Sequence, residues 1–168
     1  MFLNALSKMP MKTDTYYPSY DEVLDVYAKV IERSGGGLHG VRDEGGIRSV
    51  LAFIQEDAYY PDFQSKLVHL VYAFCRGHFF SDGNKRIALT LGMFFLLKNG
   101  YMWAACTFMK LMEACIYHVA AGNISKELLA LIVEKYVNGQ DLDEEIKVAL
   151  MAAMSHGLPD DTESTLID

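Results

Sequence analysis

Cysteine is scarce in this chain of 168 residues: there are three, Cys75, Cys106 and Cys115, and no C-x-x-C pair. An odd number of cysteines, each in an apolar stretch, disfavours both a disulfide scaffold and a zinc site. We therefore expect free thiols in a reducing cytoplasm. The histidines are scattered as well, so we expect no dedicated transition-metal site.

Long hydrophobic runs and a basic surface are also missing. The longest apolar run, residues 87–97, is shorter than the ~20 residues that a membrane-spanning helix needs. No apolar segment precedes a small-residue cleavage site near the N-terminus, so we predict no signal peptide. The formal net charge is −7, which is atypical of a nucleic-acid-binding protein. We expect a soluble cytoplasmic protein without direct contacts to membrane or nucleic acid.

Strand signals are absent too, and helical periodicity dominates. Ser19 and Glu22 have capping-box spacing at the start of a first predicted helix. Thr107 and Ser125 are the predicted caps of the fifth and sixth helices. The second to seventh predicted helices cover residues 47–55, 62–76, 83–98, 108–122, 126–137 and 141–156.

The predicted helix over 83–98 is apolar on nearly every face, so we expect it at the centre of the core. The glycine-rich connection after the first helix can form at most a short hairpin. We therefore predict an all-α domain over residues 19–139, after an N-terminal extension (1–18). A C-terminal helix and a disordered acidic tail (140–168) follow it.

A cluster of reactive and charged residue types, HFFSDGNKR, occupies residues 78–86. Gly83 and Asn84 stand where a loop becomes a helix, and the free N–H groups at a helix start attract anions. Lys85 and Arg86 add two cations, of which arginine grips phosphate oxygens through a forked pair of hydrogen bonds. The combination favours a phosphate site, with a plain helix start as the alternative.

Three further residues complete the cluster. Asp82 suits a Mg²⁺ ligand, directly or through water, or an anchor for Lys85. His78 can take a proton from an attacking hydroxyl, although a structural role is the alternative for a single loop histidine. Phe80 is expected to anchor the loop in the core while its neighbours face outward.

The spacing H-x-F-x-D-G-N-K-R resembles the active-site motif of the Fic/Doc family, in particular its Doc (death on curing) branch. Similar flanking segments extend the likeness over residues 20–139. The resemblance implies a Fic/Doc-like helical bundle with the active-site loop between two central helices. It implies ATP and Mg²⁺ as cofactors and His78 as general base. Asp82 would be the metal or lysine partner, and the implied phosphate ligands are Gly83, Asn84, Lys85 and Arg86.

Two departures from the common Fic motif bear on the reaction, whereas Phe79, where that motif has proline, is a neutral one. Lys85 stands where that motif has a second glycine. In Doc proteins this lysine accompanies a reversed orientation of the bound nucleotide, in which the γ-phosphoryl group faces the target hydroxyl. Fic proteins have another arginine three residues after the first one. This chain has Leu89 at that position, which also fits Doc. The resemblance thus implies phosphorylation of a protein serine or threonine. Gly83, where Doc often has alanine, leaves AMP transfer (AMPylation) open, and a non-catalytic nucleotide- or partner-binding module is the third hypothesis.

The Doc branch also implies partners. It implies a toxin with a protein target, which in the family is elongation factor Tu. The inhibitory string [ST]-x-x-x-E-[GN] of many Fic enzymes is missing from this sequence, so the resemblance implies a separate antitoxin. The family's target-docking flap corresponds, in position only, to residues Leu38, His39, Gly40, Val41, Arg42 and Asp43. A plain flexible connection is the alternative for this segment.

Overall fold

The computed structural model describes residues 14–35, 37 and 40–157. Its helices are α1 (Tyr20–Arg33), α2 (Glu44–Phe53), α3 (Phe63–Arg76), α4 (Asn84–Lys98), α5 (Met102–Ala121), α6 (Lys126–Val137) and α7 (Glu144–Met154). These described residues contain no strand, and one isolated antiparallel bridge joins Val41 to Phe80. The predicted all-α fold is confirmed. No helix in the described part is long and apolar enough to cross a membrane.

Most helix starts follow from local side-chain chemistry. The Ser19 hydroxyl accepts from the Glu22 N–H at 3.2 Å, and the Glu22 carboxylate accepts from the Ser19 N–H at 2.9 Å. The Ser125 hydroxyl accepts from the Leu128 N–H at 3.1 Å at the start of α6. Each cap satisfies backbone donors that the first helical turn leaves without partners. The predicted caps of α1 and α6 are therefore confirmed.

Two helices begin earlier than predicted. α2 does so because the Asp43 carboxylate accepts from the Gly46 N–H at 2.7 Å, which caps a glycine-containing first turn. α5 begins at Met102, so the predicted cap Thr107 lies inside the helix. The Thr107 hydroxyl instead lies 2.6 Å from the Tyr136 hydroxyl of α6. A tertiary partner, which sequence spacing does not show, satisfies this threonine.

α4 is the central helix, as its apolar composition predicts. It packs against α1, α3 and α5. Phe95 on α4 and Phe108 on α5 are fully buried, and burial of a phenylalanine side chain contributes about 1.5–3 kcal/mol. A Cβ at Gly92 would lie 2.5 Å from the Phe108 ring, so this glycine allows close approach of α4 and α5. The motif loop therefore leads into a helix that is packed in the core.

The segments outside the predicted catalytic domain also contact the core. The Asn99 side chain donates to the Tyr16 carbonyl at 3.0 Å and accepts from the Tyr16 N–H at 2.8 Å. α7 packs on α6 and contributes Ile146 and Ala153 to the core. The predicted acidic tail lies outside the described residues, and the domain bounds remain a prediction.

Candidate active site

The motif loop, residues 77–83, connects α3 to α4. Phe79 and Phe80 are both buried, at 7% and 0% exposure. Phe80 stacks on Tyr27 of α1 with ring centroids 3.9 Å apart, and Phe79 meets Phe74 of α3 edge-on at 5.2 Å. The expectation that the neighbours of Phe80 face outward is wrong for Phe79. Its ring fills a slot that glycines at the start of α2 and the end of α3 leave open.

His78 is exposed and has a φ of +49°, the one positive φ outside glycine in the described part of the chain. A left-handed backbone is sparsely populated for residues with a side chain and costs on the order of 1–3 kcal/mol. The two residues after His78 enter the core while its imidazole stays on the surface. The loop conformation thus presents the imidazole to solvent.

The Asn84 side chain holds the loop against the first turn of α4. Its Nδ2 donates to the Phe80 carbonyl at 2.9 Å, and its Oδ1 accepts from the Phe80 N–H at 3.1 Å. Both ends of the amide are engaged by the backbone of the loop. An anion at this helix start would therefore meet the backbone N–H of Asn84 before its side chain.

The start of α4 has the features of an anion nest. Gly83 is its N-cap residue, with a left-handed φ of +76°, and no side chain of the described residues caps the helix. The first helical hydrogen bond runs from the Ile87 N–H to the Gly83 carbonyl at 2.9 Å. The N–H groups of residues 84–86 therefore lack helical partners, and the helix dipole adds partial positive charge.

Asp82 pairs with Arg86 across this helix start. One carboxylate oxygen accepts from the Gly83 N–H at 2.5 Å, and the other lies 3.1 Å from the Arg86 guanidinium. The Tyr27 hydroxyl donates to the Asp82 carbonyl at 3.2 Å and so supports the loop from α1. Binding of Mg²⁺ by Asp82 and anchoring of Lys85 by Asp82 both remain predictions. The carboxylate contacts Arg86.

The donor set at Asp82 fits Mg²⁺ better than a transition metal. No group of three or more histidine, cysteine, aspartate or glutamate side chains converges within the described residues. Mg²⁺ does not need such a cage, because it keeps several waters and takes one or two carboxylates together with substrate phosphates. Asp82 supplies one partly exposed carboxylate beside the anion nest. Binding through the oxygen that faces Arg86 would release that arginine.

Lys85 leaves α4 in a different direction from Arg86. Its ammonium lies 4.5 Å from the centroid of the Tyr117 ring on α5. The two cations of the motif are therefore divided between two sides of the helix start. One is paired with a carboxylate and the other lies over an aromatic ring.

The described part of the predicted flap runs beside the motif loop. The Ser81 N–H donates to the Gly40 carbonyl at 2.9 Å. The N–H groups of Arg42 and Asp43 both donate to the Phe79 carbonyl, at 2.7 and 3.2 Å. These backbone contacts join residues 40–43 to the loop that carries His78. Target docking by this segment remains a prediction.

Gly37, which directly precedes the predicted flap, lies close to the acidic residue of the motif. A Cβ at Gly37 would lie 2.6 Å from an Asp82 carboxylate oxygen, so a side chain at position 37 would crowd the carboxylate. Leu38 and His39, which the sequence also assigns to the flap, lie outside the described residues.

A groove of about 410 Å³ lies beside the motif, between α1, α4 and α5. Arg86 forms part of its wall, together with the cations Lys29 and Arg33 of α1 and the acid Glu113 of α5. The rest of its lining is largely apolar and includes Val26, Val30, Leu89, Met93, Phe94 and Met109. The groove thus combines apolar walls with an excess of positive charge.

The sequence does not identify two of the residues at this site. Tyr27 contacts both Phe80 and Asp82, and Tyr117 contacts Lys85. Each occupies a helix whose spacing indicates only an apolar face, so no local signal distinguishes it. The contacts of these two tyrosines with the motif become visible only in the tertiary structure.

These features define a class of helical proteins in which one loop presents a histidine and leads into a helix start with the features of an anion nest. Residues 17–96 match the Fic/DOC family. Protein kinase doc of Escherichia phage P1 is 35% identical over 86 residues, which cover 49% of this chain and 67% of that protein. No solved structure matches the chain. The chain belongs to the Fic/Doc family, as its motif predicts, and its function is of the Fic/Doc type.

Proposed function

We propose that this protein is a Doc-type kinase that transfers the γ-phosphoryl group of ATP to a serine or threonine hydroxyl of a target protein. Elongation factor Tu is the first candidate target. The observation that carries the proposal is the presentation of exposed His78 and the uncapped start of α4 by one loop. The similar protein of phage P1, which is named a protein kinase, supports the choice of reaction.

In the proposed reaction the His78 imidazole takes the proton of the target hydroxyl as its oxygen bonds to the γ-phosphorus. The bond from that phosphorus to the β–γ bridging oxygen breaks, and ADP leaves. The N–H groups of residues 84–86 and the Arg86 guanidinium stabilise the charge on the transferred group. Mg²⁺ held by Asp82 would neutralise charge on the phosphates. An exposed base suits this chemistry because a protein substrate has to reach it.

The groove beside Arg86 supports one direction for the nucleotide. Arg86 belongs both to the groove wall and to the first turn of α4, so a polyphosphate chain at the helix start leads into the groove. Leu89 and Phe94 offer the apolar surface that a nucleoside base prefers, and Lys29 adds a cation. A nucleoside in the groove leaves the γ-phosphoryl group nearest to His78.

AMP transfer to a protein hydroxyl is the second candidate function. Gly83 favours it, because glycine stands there in place of the alanine often found in Doc. Lys85 distinguishes the two reactions. Lys85→Gly should shift the product from phosphoprotein towards AMP-protein if Lys85 sets the orientation of the nucleotide. Unchanged phosphotransfer by this variant would contradict that role.

The direct test is mass spectrometry of intact elongation factor Tu, and of a bacterial extract in parallel, after incubation with the protein, ATP and Mg²⁺. The kinase proposal predicts the gain of a phosphoryl group, absent with His78→Asn. Gain of a whole AMP would support the second candidate. No transfer to any protein would support the third hypothesis, a module that binds without catalysis.

Regulation by a separate antitoxin is part of the same proposal, as is action in the cytoplasm, where ATP and the target are available. The inhibitory string of many Fic enzymes is missing from the printed sequence. Expression of the protein should arrest bacterial growth, and His78→Asn should relieve the arrest. Normal growth with the wild-type protein at full ATP-dependent activity would contradict the toxin proposal.

A further inference from the structure

Two exposed arginines are joined to the part of the loop that presents His78. Arg76 precedes His78 by two residues, and its guanidinium donates to the Ala120 carbonyl of α5 at 2.9 Å. The N–H of Arg42 donates at 2.7 Å to the carbonyl of Phe79, the residue that follows His78. The surface where a substrate hydroxyl meets the imidazole therefore carries positive charge.

The two acids that follow Arg42 along the chain are directed towards α2. The Asp43 carboxylate accepts from the Gly46 N–H at 2.7 Å. The Glu44 carboxylate lies 2.7 Å from the Arg48 guanidinium, one turn further along the same helix. Each of these carboxylates thus has a partner in α2, so the charge of Arg42 can serve an acid that arrives at the loop.

The last described residue of the chain, Gly157, lies near Arg76. Its carbonyl accepts from the Asn123 side chain at 3.0 Å. Gly122, the residue before Asn123, is so close to Arg76 that a Cβ on this glycine would lie 3.7 Å from the guanidinium. The segment that follows α7 therefore leaves the fold close to the motif loop.

The sequence after Gly157, LPDDTESTLID, combines hydroxyl groups with negative charge. It contains four acids and no lysine or arginine, and its hydroxyls belong to Thr162, Ser164 and Thr165. An extended chain covers ~3.3–3.6 Å per residue, so these hydroxyls can lie up to roughly 17–29 Å from Gly157. This reach covers the path of direct contacts that leads from the end of α7 back to the motif loop.

We propose that the protein phosphorylates a hydroxyl of its own segment 162–165, within one chain, and that Arg42 and Arg76 hold the acids of this segment beside His78. This inference rests on the proposed kinase function. The acceptor oxygen bonds to the γ-phosphorus of ATP, and its proton passes to the imidazole. The bond from that phosphorus to the β–γ bridging oxygen breaks, and ADP leaves. A tethered acceptor meets the base at a high effective concentration.

The direct test is peptide mapping by mass spectrometry after incubation of the protein with ATP and Mg²⁺. We expect a phosphoryl group on segment 162–165, at a first-order rate that does not depend on the protein concentration. A variant with all three hydroxyls removed should take up no phosphoryl group and keep full transfer to the proteins of a bacterial extract; it carries Thr162→Ala, Ser164→Ala and Thr165→Ala. A first-order rate constant that rises with protein concentration would overturn transfer within one chain.

Recognition by charge is tested by neutralising the acids around these hydroxyls. The neutral variant carries Asp160→Asn, Asp161→Asn and Glu163→Gln. It should phosphorylate itself more slowly than the wild type, by about two- to fivefold for each surface ion pair lost. The difference should fade at high salt, which screens exposed charges. Equal rates of the two proteins at low salt would contradict recognition by charge.

The two arginines are tested by Arg42→Gln and Arg76→Gln. Each should slow self-phosphorylation of the wild-type segment to a similar extent and have no further effect when the acids are already neutral. Arg48→Gln is the matched control, because it removes another exposed arginine, on α2, and should leave the rate unchanged. An equal loss with wild-type and neutral segments would show that the two arginines act on the fold and not on the acids.

Failure of the proposed function has a different signature from failure of this inference. No transfer from ATP to this chain or to any protein of the extract would overturn both. Transfer to extract proteins with no label on segment 162–165 would overturn this inference alone. AMP on the same hydroxyls would overturn the kinase reaction and keep the segment as the acceptor.

Discussion

The Asp82 carboxylate lies 3.1 Å from the Arg86 guanidinium, one helical turn further along the chain. In the proposed reaction these residues serve the metal and the phosphates, yet here each neutralises the other. Both side chains are only about one-fifth exposed, so solvent screens this pair less than a fully exposed one, and we expect it to be worth about 1 kcal/mol, the upper end of the range for surface pairs. A nucleotide with Mg²⁺ can therefore separate them.

Asp82→Asn should free Arg86 for anions and remove the metal ligand at the same time. We expect ATP in EDTA to bind about two- to fivefold more tightly than to the wild type, the release of a weak ion pair. The gain in affinity on adding Mg²⁺ should be lost. Isothermal titration calorimetry with and without Mg²⁺ measures both effects.

The matched control is Glu44→Gln, which breaks the exposed i,i+4 pair of Glu44 with Arg48, at 2.7 Å, on α2. It should change neither titration. Unaltered ATP binding by Asp82→Asn in EDTA would show that Asp82 does not restrain Arg86.

His78→Asn should abolish transfer without harming the fold. Asparagine tolerates the left-handed φ of +49° at this position but cannot act as the general base. The rate should fall by at least about 10², the lower range for a lost general base. His78→Ala should lose as much activity and be about 1 kcal/mol less stable than the asparagine variant.

Radioactive transfer from γ-labelled ATP and chemical denaturation measure these two effects. Activity retained by His78→Asn would exclude His78 as the base. Equal stability of the two variants would show that the backbone at residue 78 relaxes out of the left-handed region.

Gly83→Ala should destabilise the protein and disturb the anion nest. The left-handed φ of +76° costs an alanine about 1–2 kcal/mol. Its Cβ would also lie 3.0 Å from the Ile31 side chain of α1, so the free energy of unfolding should fall further. Denaturant titration measures the change.

Gly139→Ala is the control for the backbone cost. Gly139 has a φ of +63°, and a Cβ there would meet no described atom within 4 Å. The loss of stability in Gly83→Ala beyond that in Gly139→Ala measures the crowding against Ile31. Equal losses would show that α1 moves aside.

The surroundings of His69 predict that the folded protein loses stability in acid, independently of the active site. It stacks on Tyr60 at 4.5 Å, and the Lys126 ammonium donates to its Nδ1 at 3.0 Å. Burial, and then the Lys126 charge, lower the pKa of His69 from 6.5 to about 4. As the pH falls, the unfolded chain takes up this proton before the folded protein does.

The contribution of His69 to stability is therefore complete above pH 6.5 and is lost as the pH falls towards 4. The loss has a slope of at most about 1.4 kcal/mol per pH unit for one proton. His69→Gln cannot take up the proton and should flatten this part of the stability profile. Denaturation at a series of pH values is the measurement. An identical profile for the variant would mean that His69 titrates alike in both states.

The limits of prediction from sequence are clear at α5. Threonine is a common cap, so the sequence predicts that α5 starts at Thr107, but the hydroxyl of Thr107 contacts Tyr136 from α6. Ser19 and Ser125 cap helices as predicted, since their partners lie three residues along the same chain. Local rules succeed where the partner is local and fail where it is distant.

The motif loop shows the same division. Sequence alone determined the residue types of the motif, the helix that follows it and the family, because these depend on the order of residues along the chain. Tertiary structure alone decided that Asp82 contacts Arg86 and that Lys85 lies over Tyr117. The directions of long charged side chains depend on what neighbouring helices place around them, and helices distant in sequence meet only through packing of the core.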